Sequence, residues 1–424
     1  MFQRLAATFL PRPSLFPAVG LLIGLAIGPS MSARAAGPAP AVPKGSLVIA
    51  GGALRADNAT VWKTIVDLAG GRGARIAVFA TAAGNPERSA RFVAEVLRGA
   101  GAEPFIVPLA PRLKDSDVRK AADDAKLAAQ VAGAGGAFFT GGDQGRITAA
   151  LRRPDGTSTA VLDALWAMYR RGGVIAGTSA GAAIMSSTMF YEGQAPLPTL
   201  KSGITEGRDI APGLGFIGDE VFVDQHLLVR GRFARMLPAM LARKYRLGLG
   251  IDENTAAVVT HPDGKPGLSI QVIGYKGAIL LDLGQATVDA ARPAFNIANA
   301  RISYMDAGDR YETAGATFKP GGDKEKIEDA GPAASGAWFT PDILGNQAVV
   351  DLLWKLGAGK LPKATGIAFG GPASAAPERG FEFTFSKVPE SESYESNRAD
   401  TYSVYRVRLD VKPIRMKQPL YENE

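Results

Sequence analysis

Between residues 46 and 183 short apolar runs alternate with longer amphipathic segments, and this alternation restricts the fold more tightly than any other feature of the chain. "SLVIAGG" (46–52) precedes "NATVWKTIVDLAGG", and "ARIAVFATA" (74–82) precedes "NPERSARFVAEVLRGAGA". "EPFIVPLA" leads into "DSDVRKAADDAKLAAQVAGAGG", and "GAFFTGGD" into "QGRITAALRR". Short Val/Ile/Phe runs, each followed by a helical segment of three or four turns, predict an α/β fold with a doubly wound, mostly parallel sheet buried on both faces. Asn85 and Pro86 suit the N-cap and first turn of the second helix. After residue 220 the texture changes. "NTAAVVTHPDGKPGLSIQVIGYKGAILLDL" (254–283) reads as hairpins with Pro-Asp-Gly and Tyr-Lys-Gly turns. The polar, Gly/Pro-rich stretch ending at Gly336 predicts a linker over 321–336. Residues 337–424 hold one amphipathic segment and two strand-like runs, which predicts a small appended α+β domain.

Residues 1–36 stand apart. Arg4 and Arg12 precede "LFPAVGLLIGLAIG", and "SMSARAA" follows with Ala33 and Ala35 at small-residue positions. This is the layout of a secretory signal peptide, so the protein is expected to be secreted or periplasmic, with no membrane attachment after cleavage and a leader over 37–45. The formal charge of +7 falls to +4 without Arg4, Arg12 and Arg34, and no basic run with interleaved aromatics points to nucleic acid. Cysteine is absent, which excludes disulfides, thiol catalysis and thiolate metal sites. With only two scattered histidines, neither a metal nor another cofactor is expected.

Within "GGVIAGTSAGAA" (172–183), Gly177-Thr178-Ser179-Ala180-Gly181 fits Gly-x-Ser-x-Gly after a strand and before a helix. A nucleophile on so tight a turn needs small neighbours, because the strained backbone leaves no room for side chains two residues away. A nucleophilic serine needs a base. His226, in "GDEVFVDQHLLVRGR", lies at a strand end, whereas His261 lies in a hairpin turn and is expected to be idle. The acid that orients the base could be Asp224, Asp252 or Glu253. The Ser…His…acid order differs from the Ser…acid…His order of α/β-hydrolases. The N–H of Ala180 would be one oxyanion donor, and "FFTGGDQ" could bring the other at Gly141-Gly142. Arg230, Arg232 and Arg235 follow the base and suit a carboxylate-recognising wall.

Four blocks stand in order: "FFTGGDQ", "GTSAGAAIMS", "DQHLLVRGRFARML" and "GIDENTA". Together they resemble the S51 serine peptidases, the family of the cyanophycinases and aspartyl dipeptidases, over about residues 46–320. The leader and the extra C-terminal residues resemble the exported branch. The resemblance implies a flavodoxin-like core related to class I amidotransferases. It implies Ser179 as nucleophile, His226 as base and Glu253 as acid; Ala180 and Gly142 remain the oxyanion donors expected from the two glycine-rich turns. Gln144, Asp224, Gln225, Arg230, Arg232 and Arg235 match the family's substrate-pocket positions. The implied substrate is cyanophycin or a related Asp/Arg peptide: a poly-aspartate backbone with arginine on each side-chain carboxyl, cut to β-Asp-Arg dipeptides. Dimerisation is a further implication. Leu227 replaces the family's usual Phe, and Ala234 a usual Gly, which bears on pocket shape. Two other readings stay open: an S51-type peptidase for other Asp-containing or isopeptide-linked peptides, and a non-catalytic polymer-binding protein on the same fold.

Overall fold

The computed structural model describes residues 42–114, 116–328 and 336–422. The expected signal peptide and the leader up to residue 41 lie outside the described residues. The described chain forms one compact unit.

Its first half alternates strand and helix: β1 (Ser46–Ala50), α1 (Ala59–Leu68), β2 (Arg75–Phe79), α2 (Pro86–Gly99), β3 (Glu103–Ile106), α3 (Val118–Ala122), α4 (Ala125–Ala132), β4 (Gly136–Phe139), α5 (Gln144–Leu151), α6 (Ala160–Arg171), β5 (Val174–Thr178) and α7 (Ala180–Ala183). Strands lie in the order β1-β5-β4-β2-β3, all parallel. Period-2 alternation sends Val48 and Ala50 to a core with α1 and α2, and Leu47 and Ile49 to a core with α4, α5 and α6. This is the expected doubly wound sheet. Asn85 caps α2 through the Arg88 N–H, with Pro86 in the first turn. One expected helix is two: Asp117 caps α3, and Asp124 breaks the run by capping α4 at the Leu127 N–H, because a short carboxylate satisfies orphan amide donors best at a helix start.

The chain continues through β6 (Thr188–Phe190), α8 (Pro196–Ser202), β7 (Ile210–Pro212), β8 (Val221–Gln225), α9 (Phe233–Arg243), β9 (Leu247–Ile251), β10 (Thr255–Thr260), β11 (Ser269–Gly274), β12 (Ala278–Asp282) and β13 (Ile297–Met305). It ends with β14 (Arg310–Glu312), β15 (Thr317–Lys319), β16 (Lys324–Lys326), β17 (Ala337–Thr340), α10 (Ala348–Ala358), β18 (Lys363–Ala368), β19 (Arg379–Ser386), β20 (Glu392–Ser396) and β21 (Tyr402–Arg415). β10, β11, β14 and β15 extend the first sheet from β1 as antiparallel strands. A second, mostly antiparallel sheet runs β17-β18-β19-β21-β13-β12-β9-β8.

One expectation changes here, at a turn. The Pro-Asp-Gly turn does join a hairpin, β10 to β11. Tyr275-Lys276-Gly277 does not; it carries the chain from the first sheet to β12 in the second, where the partners are β9 and β13. The expected C-terminal strands are present, and they join the second sheet. β21 pairs with β13 on one side and β19 on the other, and the buried faces of both lie in one core with α9 and α10. Lys324, from the expected linker, is buried against Asp309 (Nζ–Oδ1 2.7 Å) and donates to Ser403 Oγ at 3.0 Å. A fully buried ammonium needs such partners, so this stretch is held in the fold.

Candidate active site

Ser179 stands between β5 and α7 with φ +54° and ψ −110°, a sparsely populated backbone region for a residue with a Cβ. The turn is tight enough that its flanks almost touch. A Cβ on Gly177 would lie 2.4 Å from the Gly181 carbonyl oxygen, and one on Gly181 would lie 2.3 Å from the Phe139 oxygen. Only hydrogen fits at either position, so the crowding of small residues around Ser179 is steric.

His226 follows β8, again at positive φ (+50°), and its N–H donates to the Gly51 carbonyl at 2.7 Å. Its ring lies against Gly52, where a Cβ would approach Cε1 to 2.2 Å. The Ser179 hydroxyl is 2.8 Å from His226 Nε2, and Glu253 Oε1 is 2.6 Å from Nδ1. With Glu253 ionised, Nδ1 carries the proton and Nε2 is left to accept from Ser179. Burial lowers the His226 pKa; the Glu253 hydrogen bond opposes this, and the charges of Arg230 and Arg232 reinforce it.

The three candidate acids separate cleanly. Asp224 is buried and turned to Arg235. Asp252 is buried too, accepting from the Leu228 and Val229 N–H groups and pairing with Lys276 at 3.0 Å. Glu253 alone of the three reaches the imidazole. His261 is remote: β10 runs antiparallel to β1, which places His261 beyond the Leu47 end and Ser179 beyond the Ala50 end. Its Nδ1 lies 3.0 Å from the Gly267 oxygen.

The arginines differ from a wall of three free guanidiniums. Arg235 is bidentate to Asp224, with both N–O distances 2.7 Å, donates to the Gln194 oxygen at 3.3 Å and stacks on Phe190 at 4.0 Å. Arg232 donates to the Gln225 oxygen at 2.8 Å and lies 3.8 Å from Asp224; burial pushes its pKa down to about 10. Arg230 makes no hydrogen bond or ion pair with any described residue. Gln144 Nε2 donates to the Phe190 and Tyr191 oxygens at 2.8 and 2.9 Å, so it ties down β6. Gln225 Oε1 is buried with no donor among the described residues. Gly141 lies beside the serine, since a Cβ there would be 3.7 Å from Ser179 Oγ. The N–H groups of Gly142 and Ala180 donate to no carbonyl among the described residues.

Because Asp224 and Arg235 are both buried, removing one strands a charge. Arg235→Ala is expected to cost about 3–5 kcal/mol, read as a lower urea midpoint. A loss below about 1 kcal/mol would mean that Arg232, 3.8 Å away, already satisfies Asp224.

Residues 47–264 match the family described as Peptidase family S51. The cyanophycinase of Trichormus variabilis is 31% identical over 284 residues, spanning 65% of this chain and 87% of that protein. The chain belongs to peptidase family S51. The cyanophycinase of Synechococcus elongatus is 30% identical over 276 residues, 63% of this chain and 79% of that one. A crystal structure of a peptidase from an acI-B1 actinobacterium aligns with a TM-score of 0.43 and 20% identity, over 64% of this chain and 97% of that one.

This S51 peptidase is a serine-type hydrolase, and its site uses backbone that the sequence reading passed over. Gly51 and Gly52, read only as the end of a strand, supply the carbonyls that hold His226 and, through the Asn254 N–H at 2.8 Å, the turn bearing Glu253. The available signal was a Gly-Gly pair at the C-terminal end of a parallel strand, where α/β sheets place their sites. Among the described residues no group of three or more His, Asp or Glu is arranged to hold a metal, and no helix is long and apolar enough to cross a membrane.

Proposed function

We propose that this S51 peptidase hydrolyses cyanophycin through Ser179, His226 and Glu253. The observation that carries the reading is the unbroken line of hydrogen bonds, 2.8 Å from Ser179 to His226 and 2.6 Å from His226 to Glu253. His226 Nε2 takes the hydroxyl proton as Ser179 Oγ adds to the scissile carbonyl carbon. The oxygen that becomes negative is met by the Ala180 and Gly142 N–H groups, which have no other backbone partner. His226 then passes its proton to the departing nitrogen, leaving an acyl-enzyme on Ser179. A water, deprotonated by the same Nε2, reverses the sequence and frees the acid. Glu253 stays ionised, orienting the ring and stabilising the imidazolium.

The substrate assignment rests on the names of the curated relatives and on the chemistry beside the triad. Each cyanophycin repeat presents one carboxylate and one guanidinium. Arg230 offers an uncommitted fork to a carboxylate of the chain, and the orphaned Gln225 Oε1 offers an acceptor to the guanidinium of a repeat at the scissile bond. The Asp224–Arg235 pair acts beneath them as support, since its atoms are already committed to each other. Export rests on residues 1–36 alone.

Purified protein is expected to clear a cyanophycin suspension and release β-Asp-Arg, identified by mass spectrometry. The base must be neutral, so kcat/KM stays flat through neutral pH and falls only below the ordinary imidazole pKa of about 6.5, because burial holds the His226 pKa down. No clearing, alongside labelling of Ser179 by a serine-directed probe, would retain the nucleophile and discard the substrate. An acid limb centred above pH 7 would contradict the buried base.

A further inference from the structure

A cleft opens beside the arginine turn, and half of it comes from residues outside the family match. Ala195, Pro196, Leu197, Pro198 and Arg230 form one wall of a cavity of about 380 Å³. The other wall is Pro341, Asp342, Leu344, Ala368 and Phe369, whereas the S51 match ends at residue 264. The walls are fastened to each other. A Cβ on Gly231 would lie 2.3 Å from the Leu344 oxygen, so the arginine turn rests on the 341–345 loop. Lys201, at the end of α8, donates to the Ala375 and Ala376 oxygens, both at 2.8 Å. Arg235 holds Gln194, just before α8, from the catalytic side.

Inside the cleft the charges are unpaired. Arg230 and Asp342 both line it, yet neither side chain makes a hydrogen bond or ion pair with any described residue, including the other. Asp342 is exposed and Phe369 half-buried. Arg230 lies in the same connection between β8 and α9 that begins with His226. One cation, one anion and one aromatic ring in a single cleft match a ligand arm that carries a carboxylate and a guanidinium together. The carboxylate pairs with Arg230, and the guanidinium pairs with Asp342 while stacking on Phe369.

We propose that the C-terminal region completes an extended substrate site, in which Asp342 and Phe369 with Arg230 hold the arginyl arm of the repeat next to those flanking the scissile bond. This rests on the cyanophycin reading above and adds to it a length preference: chains of three or more repeats fill the cleft, and two-repeat chains leave it empty. The C-terminal region is thus part of the specificity machinery, and Asp342 and Phe369 are specificity residues.

The test compares kcat/KM for linear two-repeat and three-repeat β-Asp-Arg oligomers with wild type, Asp342→Lys and Phe369→Ala. Wild type is expected to favour the three-repeat chain. Asp342→Lys is expected to lower the three-to-two ratio by on the order of tenfold and Phe369→Ala by about threefold, as loss of one charge-assisted contact or one stacking contact predicts. Because Asp342 is exposed, its variant should melt with the wild type. A wild-type ratio of one, or a ratio unchanged in both variants, overturns the proposal while the substrate reading stands. If wild type cleaves neither oligomer nor polymer, the substrate reading itself falls and takes this inference with it.

Discussion

Ser179→Ala is expected to lower turnover of the polymer by on the order of 10⁶ while leaving the fold intact. The substitution removes one atom, Oγ, whose only hydrogen-bond partner among the described residues is His226 Nε2 at 2.8 Å. It leaves the Cβ and the positive φ unchanged, so whatever strain the turn stores is the same in both proteins. Stability should move by no more than about 1 kcal/mol, the worth of one partly exposed hydrogen bond. The measurement is single-turnover release of β-Asp-Arg together with a denaturation midpoint. Residual activity above about 1% of wild type would mean that the nucleophile is a water or another side chain.

The second large effect is expected at Glu253→Gln, which should reduce kcat by roughly 10⁴ with little change in KM. A glutamine can present its NH₂ to Nδ1, which then accepts, and the ring proton moves to Nε2. That tautomer offers Ser179 a donor where it needs an acceptor. The negative charge that stabilises the imidazolium is lost as well, and the neighbouring Arg230 and Arg232 charges, already adverse to it, go unopposed. Glu253→Asp keeps the charge but withdraws it from 2.6 Å, so it should fall between wild type and Gln. A loss below about tenfold for Gln would place Glu253 outside the reaction, since an orienting carboxylate cannot be removed so cheaply.

The alternation of strand and helix was legible before residue 183 because both periods are local. Val48 and Ala50 face one way and Leu47 and Ile49 the other, whatever the rest of the chain does. The break between α3 and α4 escaped notice because an aspartate inside an amphipathic run is ambiguous: it can face solvent in mid-helix or start a new helix at its own cap. The Tyr-Lys-Gly turn escaped for a different reason. Turn chemistry specifies a local reversal of direction, not the sheet that the next strand will join. The same blindness applies to the C-terminal strands, where β21 is recognisable from its own pattern but its partner β13 is about a hundred residues away.

The site divides along the same line. A serine hemmed in by glycines, and one histidine at a strand end rather than in a hairpin, are statements about neighbouring residues, and the sequence alone determined them. The choice of acid could not be made that way. Asp224, Asp252 and Glu253 all lie in or just after apolar strands, and which meets His226 depends on two sheets: Ser179 follows β5 in the first, His226 follows β8 in the second, and Glu253 sits in the 252–254 turn that crosses between them. The arginines show the same limit. Three guanidiniums in six residues look interchangeable in sequence, yet Arg235 is spent on a buried Asp224, Arg232 is held by Gln225, and Arg230 stays open to the cleft. Local spacing determines which residues have the right chemistry. Tertiary packing decides which of them retain it for a substrate, because a charge taken out of water pairs with the nearest opposite charge, and chain order does not report that distance.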